Sequence, residues 1–147
     1  MNVGDEKLDL GLKVFELNRS NFKIWDADIA STDKKSLEKQ LELHIDHIDP
    51  KSSQGDILYE ILLKAGFELT TKIEKIDLSK KTVYSIEDGA MFICLEKELT
   101  KNVIKAMADK SPSRVICLDE GFSGNDQLKT NAVQIMKSKG VDDFRTV

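Results

Sequence analysis

Cysteine and proline are scarce in this chain, with two of each among 147 residues, and tryptophan occurs once. Two cysteines cannot build the disulfide framework of a small secreted domain, and without a C-x-x-C pair or a second pair nearby they do not make a zinc site. Cys94 and Cys117 lie inside the apolar runs MFICL and RVICL. A free, buried thiol in a reducing compartment is expected there, which points to the cytoplasm. So few prolines, with only eight glycines, exclude a collagen-like chain. No apolar run approaches the roughly 18 residues of a membrane helix, and the opening MNVGDEKLDL lacks the basic flank and apolar stretch of a signal peptide. Nor is there a basic excess. Lys and Arg number 22 against 26 Asp and Glu, leaving a net charge of −4, so a broad phosphate-neutralising surface is not expected.

What is present is ordinary globular material: 40% hydrophobic and 33% charged residues, enough apolar side chain for one proper core at this length. Residues 1–26 read as an N-terminal strand and connecting arm, and residues 27–147 as an α/β domain, the two forming one compact unit. The strand is GLKVFEL (11–17), in which Leu12 and Val14 alternate with Lys13, Phe15 and Leu17. Over Asp33–Asp49, Leu37, Leu41, Ile45 and Ile48 recur at helical spacing before Pro50 stops the helix. A second helix follows, with Ser53 and Asp56 at capping-box spacing. Its inner face is Ile57, Leu58, Ile61, Leu62 and Ala65, and Gly66 terminates it. The two helices are expected to pack as a pair.

Beyond Phe67 the pattern turns to β. KIEKIDL, a turn at Ser79–Lys81, TVYSI, the Asp88-Gly89 turn signal and AMFICL read as a meander. From there strand and helix alternate: a helix over Leu99–Asp109, the strand RVICL, a helix over Asn125–Lys139 and the strand DFRTV. Such alternation predicts parallel strands joined by crossovers, and the all-apolar AMFICL and RVICL should be covered on both faces. The fold class is therefore α/β: a three-layer-like mixed sheet with a C-terminal parallel βαβαβ unit, an antiparallel meander and an N-terminal helical pair. If the two amphipathic faces are buried, Ile61→Ala and Ile135→Ala should each cost about 2 to 5 kcal/mol.

Few residues carry recognisable chemistry. Asp119, Glu120 and Asp126 gather around Gly121 and Gly124 just after RVICL, at the strand end where open α/β sheets bind ligands. The loop lacks G-x-G-x-x-G, and its acids would repel a phosphate at the Asn125 helix start. The acids could hold a magnesium ion with Lys129 nearby, as in metal-dependent phosphodiesterases. Equally, they could cap the helix that follows. His44 and His47 stand at i, i+3, with Glu42 or Asp46 as further ligands, but without the H-E-x-x-H pattern a packing role is simpler. Phe22, Trp25 and Phe122 are large aromatics available to anchor a partner, and beside the acid loop Asp119–Asp126 they form a candidate contact surface.

Four stretches together resemble a known family. GLKVFELNRSNFKIWD (11–26), DILYEILLKAGFELT (56–70), KTVYSIEDGAMFICL (81–95) and DEGFSGNDQLKTNAVQIMKSKGVDDFRTV (119–147) are similar to the C-terminal region of the modification subunit of type III restriction–modification systems, a DNA adenine methyltransferase. The resemblance implies a parent enzyme that transfers a methyl group from S-adenosylmethionine to adenine in a short DNA site. It also implies three kinds of partner: the rest of the methyltransferase chain, a second modification subunit, and an ATP-dependent restriction subunit, with DNA reached through the parent. The family works with a D/N-P-P-Y loop and an F-x-G-x-G cofactor loop, and this chain contains neither. A flipped adenine needs the aromatic to stack on, and the cofactor needs glycines for close backbone approach. The expectation is accordingly a non-catalytic C-terminal domain with no catalytic, cofactor-binding or metal residues of its own, serving dimerisation, restriction-subunit docking or support of DNA binding.

Overall fold

The fold is that of a computed structural model, which describes residues 11–22 and 48–147. Its chain order is α1 (Gln54–Lys64), β1 (Ile73–Leu78), β2 (Lys81–Ile86), β3 (Met91–Cys94), α2 (Lys101–Ala108), β4 (Arg114–Cys117), a 3-10 turn (Asp119–Phe122), α3 (Asp126–Ser138) and β5 (Asp143–Thr146). The five strands form one sheet in the order of the chain, β1-β2-β3-β4-β5. β1, β2 and β3 pair antiparallel, whereas β3, β4 and β5 pair parallel. The mixed α/β architecture expected from the alternation of elements is thus the one observed.

The alternation of side-chain direction along β3 and β4, which are buried almost throughout, creates two cores, one on each face of the sheet. Phe92 and Cys94 of β3, with Val115 and Cys117 of β4, face a layer made by Val103, Ile104 and Met107 of α2 and Ala132 and Met136 of α3. Met91, Ile93, Ile116 and Leu118 face the opposite way, against Ile57, Leu58, Ile61 and Leu62 of α1. Strands apolar at every position are therefore sandwiched between helices, as their sequence requires. Both cysteines are free and buried, and burial pushes the thiols of both above their ordinary range.

Each helix starts where its sequence supplies a cap. Ser53 accepts from the Asp56 amide and Asp56 accepts in return from the Ser53 amide, the full capping box expected from their spacing. Thr100 and Asn125 accept from the amides of Val103 and Leu128 at the starts of α2 and α3. Gly66, at φ +86°, takes the left-handed conformation that ends α1. The β1–β2 turn is Ser79-Lys80, both with positive φ, as a two-residue hairpin of this twist demands. It is one residue shorter than expected, because Lys81 already pairs with Leu78.

Two expectations are corrected. Gly11–Leu17 does not join a strand ladder among the described residues. Leu12, Val14 and Leu17 are 82%, 78% and 102% exposed, and Phe15 lies edge-on to Tyr59 at 4.9 Å. Alternation reports which side chains share a face, but a strand also needs a neighbouring edge to pair with, and no strand ladder among the described residues includes residues 11–17. The N-terminal helical pair is half described. Its first member falls on residues 33–47, outside the described residues, as does the domain boundary at 26/27. Ile48 and Asp49, taken as the helix's end, instead pair antiparallel with the arm: Ile48 bridges Phe22, and the Asp49 amide donates to the Asn21 carbonyl at 2.8 Å.

Packing also separates two isoleucines that looked equivalent in the sequence. Ile61 is 3% exposed, whereas Ile135 only flanks the core. In denaturant unfolding, Ile61→Ala should cost about 2 to 5 kcal/mol and Ile135→Ala less than about 2. Gly121 is tighter still: a Cβ there would lie 2.6 Å from the Glu96 carbonyl oxygen and 2.8 Å from Leu99 Cγ. Because one of those atoms is backbone, Gly121→Ala should cost at least about 1 to 3 kcal/mol, measured the same way.

Candidate functional site

A cleft of about 670 Å³ opens on the α1 face of the sheet, where α1 stops short of β5. Its floor is Ile116 with Ile61, Ala65 and Val147, and Phe22 of the arm forms one wall. Around this apolar floor stand Lys64, Arg114, Lys129 and Arg145, with Asp119 as the acid among the lining residues. The placement follows from register. Arg145 of β5 lies beside Ile116 of β4, and Asp143 beside Arg114, so the sheet surface turns from apolar to charged between these two strands.

The cations have partners. Arg114 Nε donates to Asp143 at 2.9 Å and Arg145 Nε donates to the same carboxylate at 2.8 Å. Lys129 donates to Asp119, tying α3 to the end of β4. Lys64 donates to Glu60 at 2.8 Å and places its Nζ 4.3 Å from the centre of the Phe22 ring, a cation–π contact.

Glu60 fastens the arm. Its carboxylate accepts from Ser20 Oγ at 2.5 Å, the Asn21 amide at 2.7 Å and Asn21 Nδ2 at 2.8 Å, besides Lys64. Burial by itself raises the pKa of such a group, but the four donors outweigh it and hold the carboxyl's pKa down at about 2. A buried carboxylate is costly unless it is satisfied in this way, so the arm and α1 depend on each other.

Of the residues singled out in the sequence, Phe22, Asp119 and Lys129 meet in the cleft and the other described ones do not join them. Phe122 is only 3% exposed and packs in the core beside α2 and α3, so it is corrected from contact surface to core. Asp126 is exposed in the first turn of α3, where it complements the helix dipole, and Glu120 sits in the 3-10 turn. Asp119 reaches the cleft and Phe22 lines it. Trp25, His44 and His47 lie outside the described residues. Among the described residues no group of three or more His, Cys, Asp or Glu side chains is placed to share a metal ion.

Topology explains why the loop after β4 does not form the ligand crevice of a doubly wound sheet. Ligand crevices in open parallel sheets form where successive crossovers leave on opposite faces and the strand order reverses. Here β3, β4 and β5 advance in one direction and both crossover helices, α2 and α3, pack on the same face. The residues that sequence reasoning missed, Glu60, Lys64, Arg114 and Arg145, are charges at the edges of apolar elements. RVICL and DFRTV each carry one arginine, and only the register brings them together.

No protein-family model matches the chain, and no curated protein matches it. No helix among the described residues is long and apolar enough to cross a membrane.

Glu60 makes the arm's attachment pH-dependent. Its carboxyl is about 2 in the folded protein against 4.5 ordinarily, so the stabilisation is complete above pH 4.5 and is lost as the pH falls from 4.5 towards 2. Unfolding free energy measured between pH 6 and pH 3 should fall with a slope that Glu60→Gln reduces. At neutral pH that substitution should cost about 1 to 3 kcal/mol.

Proposed function

We propose that this chain is a non-catalytic assembly module of the modification subunit of a type III restriction–modification system, the subunit that methylates adenine in DNA. The observation that carries the proposal is that three of the four stretches resembling that family coincide with structural units. Residues 56–70 contain nearly all of α1 and its terminating glycine, residues 81–95 are the β2–β3 hairpin, and residues 119–147 run from the 3-10 turn through α3 and β5. The polar residues in those stretches have structural work. Glu60 of DILYEILLK holds Ser20 and Asn21 of the first stretch, and Lys129 of GNDQLKTNAVQ holds Asp119.

Methylation in such a subunit belongs to the D/N-P-P-Y and F-x-G-x-G loops, which this sequence does not contain. S-adenosylmethionine accordingly belongs to the parent, and DNA is reached through the parent, with support of that DNA binding among the roles open to this domain. What this domain supplies is surface: to the rest of the methyltransferase chain, to a second modification subunit or to the restriction subunit, in the cytoplasm. A stand-alone phosphodiesterase built on Asp119, Glu120, Asp126 and Lys129 draws no support from their arrangement, since Asp119 and Lys129 are engaged with each other and Asp126 stands apart in the first turn of α3.

Calorimetric titration of S-adenosylmethionine into the 147-residue chain should give no saturable heat. Saturable binding, or adenine methylation by the chain unaided, would overturn the proposal. In the genome, D/N-P-P-Y and F-x-G-x-G should be encoded immediately upstream with a helicase-like gene beside them, and their absence would count equally against it.

A further inference from the structure

We infer that the cleft between α1 and β5 is a binding site for a small organic anion: a carboxylate or phosphate ester held by Arg114 and Arg145, on an apolar body laid over Ile116. The chain as a whole is acidic, with a net charge of −4, but the cleft has the opposite sign. Four cations line it, Lys64, Arg114, Lys129 and Arg145, and the carboxylates paired with them are only three, Glu60, Asp119 and Asp143. A positive cleft on a negative molecule selects anions.

The surplus charge has a definite place. Lys64 is matched by Glu60 and Lys129 by Asp119, whereas Arg114 and Arg145 share Asp143. Each arginine meets that carboxylate through Nε, at 2.9 and 2.8 Å, and neither has a second partner among the described residues. Two guanidinium forks therefore keep their terminal Nη donors for another acid. Register holds the forks together: Asp143 lies beside Arg114 across the β4–β5 ladder, and Arg145 follows two residues on, on the same face. The two side chains are 36% and 66% exposed, so a ligand can reach them from solvent.

The same register places the apolar body. Ile116 lies beside Arg145, and with Ile61 and Ala65 of α1 it makes a floor next to the arginines, walled by Phe22. The cleft's volume of about 670 Å³ is that of a small-ligand site, and an inorganic anion alone would leave most of it as wetted apolar surface. A ligand with an acid at one end and an apolar body at the other answers both halves: the acid meets the paired arginines, and the body leaves water for the floor. S-adenosylmethionine, with its net positive charge, is outside this class, so ligand binding at the cleft and the assembly role stand or fall separately.

The probe is anilinonaphthalene sulfonate, an acid on an aromatic body, titrated by fluorescence into the folded 147-residue chain. One saturable site is expected, weakened by added salt. Arg114→Ala and Arg145→Ala should each weaken binding at least about tenfold while a cooperative melting transition stays in place. Asp143→Asn removes the competing carboxylate and should tighten it, and Lys137→Ala, in the last turn of α3 away from the cleft, should leave it unchanged. Phenylpropionate and phenyl phosphate should displace the probe, and whichever does so at the lower concentration identifies the acid. Inorganic phosphate and phenylpropanol, each carrying half of the ligand, should be far less effective. Absence of a saturable site, binding indifferent to both arginine substitutions, weaker binding in Asp143→Asn, or displacement by either half-ligand as readily as by the acids would each overturn the inference.

Discussion

β3 and β4 are apolar at nearly every position, and the rest of the molecule is arranged to cover both of their faces. Met91, Phe92, Ile93, Cys94, Val115, Ile116 and Cys117 are all 5% exposed or less, which no single layer of helices could achieve. α2 and α3 are committed to one face by the crossovers that connect the parallel strands. The opposite face must be closed by something else, and that role falls to α1, which precedes the sheet in the chain. The antiparallel strands β1 and β2 extend the platform on which α1 rests, with Tyr84 and Ile86 completing its contacts.

That division of labour sets where chemistry can sit. Among the described residues α1 is the one helix against this face of the five-stranded sheet, and it does not reach the β5 end, where the side chains turn to Arg114, Asp143 and Arg145. The arm closes the near side, with Phe22 under Lys64 and Ser20 and Asn21 on Glu60. The cleft is therefore a by-product of unequal coverage, floored by core residues and rimmed by charges that already satisfy one another.

Much of the fold was legible in the sequence because it rests on local rules. Ser53 with Asp56, Thr100, Asn125 and Gly66 mark helix ends through their own backbone contacts, and the runs MFICL and RVICL declare central strands by composition. The failures were non-local. GLKVFEL has the period of a strand but no described edge beside it, and Phe122 looked like a surface aromatic because it stands between glycines and acids in a loop. The packing of the 3-10 turn under Leu99 and α3 buries it. The candidate site was hardly legible at all. Arg114 and Arg145 are 31 positions apart, and only the parallel register of β4 and β5 makes them neighbours on a shared carboxylate.

The sheet's strand order repeats the chain's own order, so every ladder joins strands that follow one another in synthesis. Loop closure is therefore cheap at each step, and the platform can assemble from β1 towards β5 as the polypeptide leaves the ribosome. α1 is already made and can settle on Tyr84, Ile86, Met91 and Ile93 as they appear. The other side of the nascent β2–β3 hairpin, with Val83, Phe92 and Cys94, stays bare until α2 and α3 follow, and during that interval it offers apolar surface to aggregation or to a chaperone's grip.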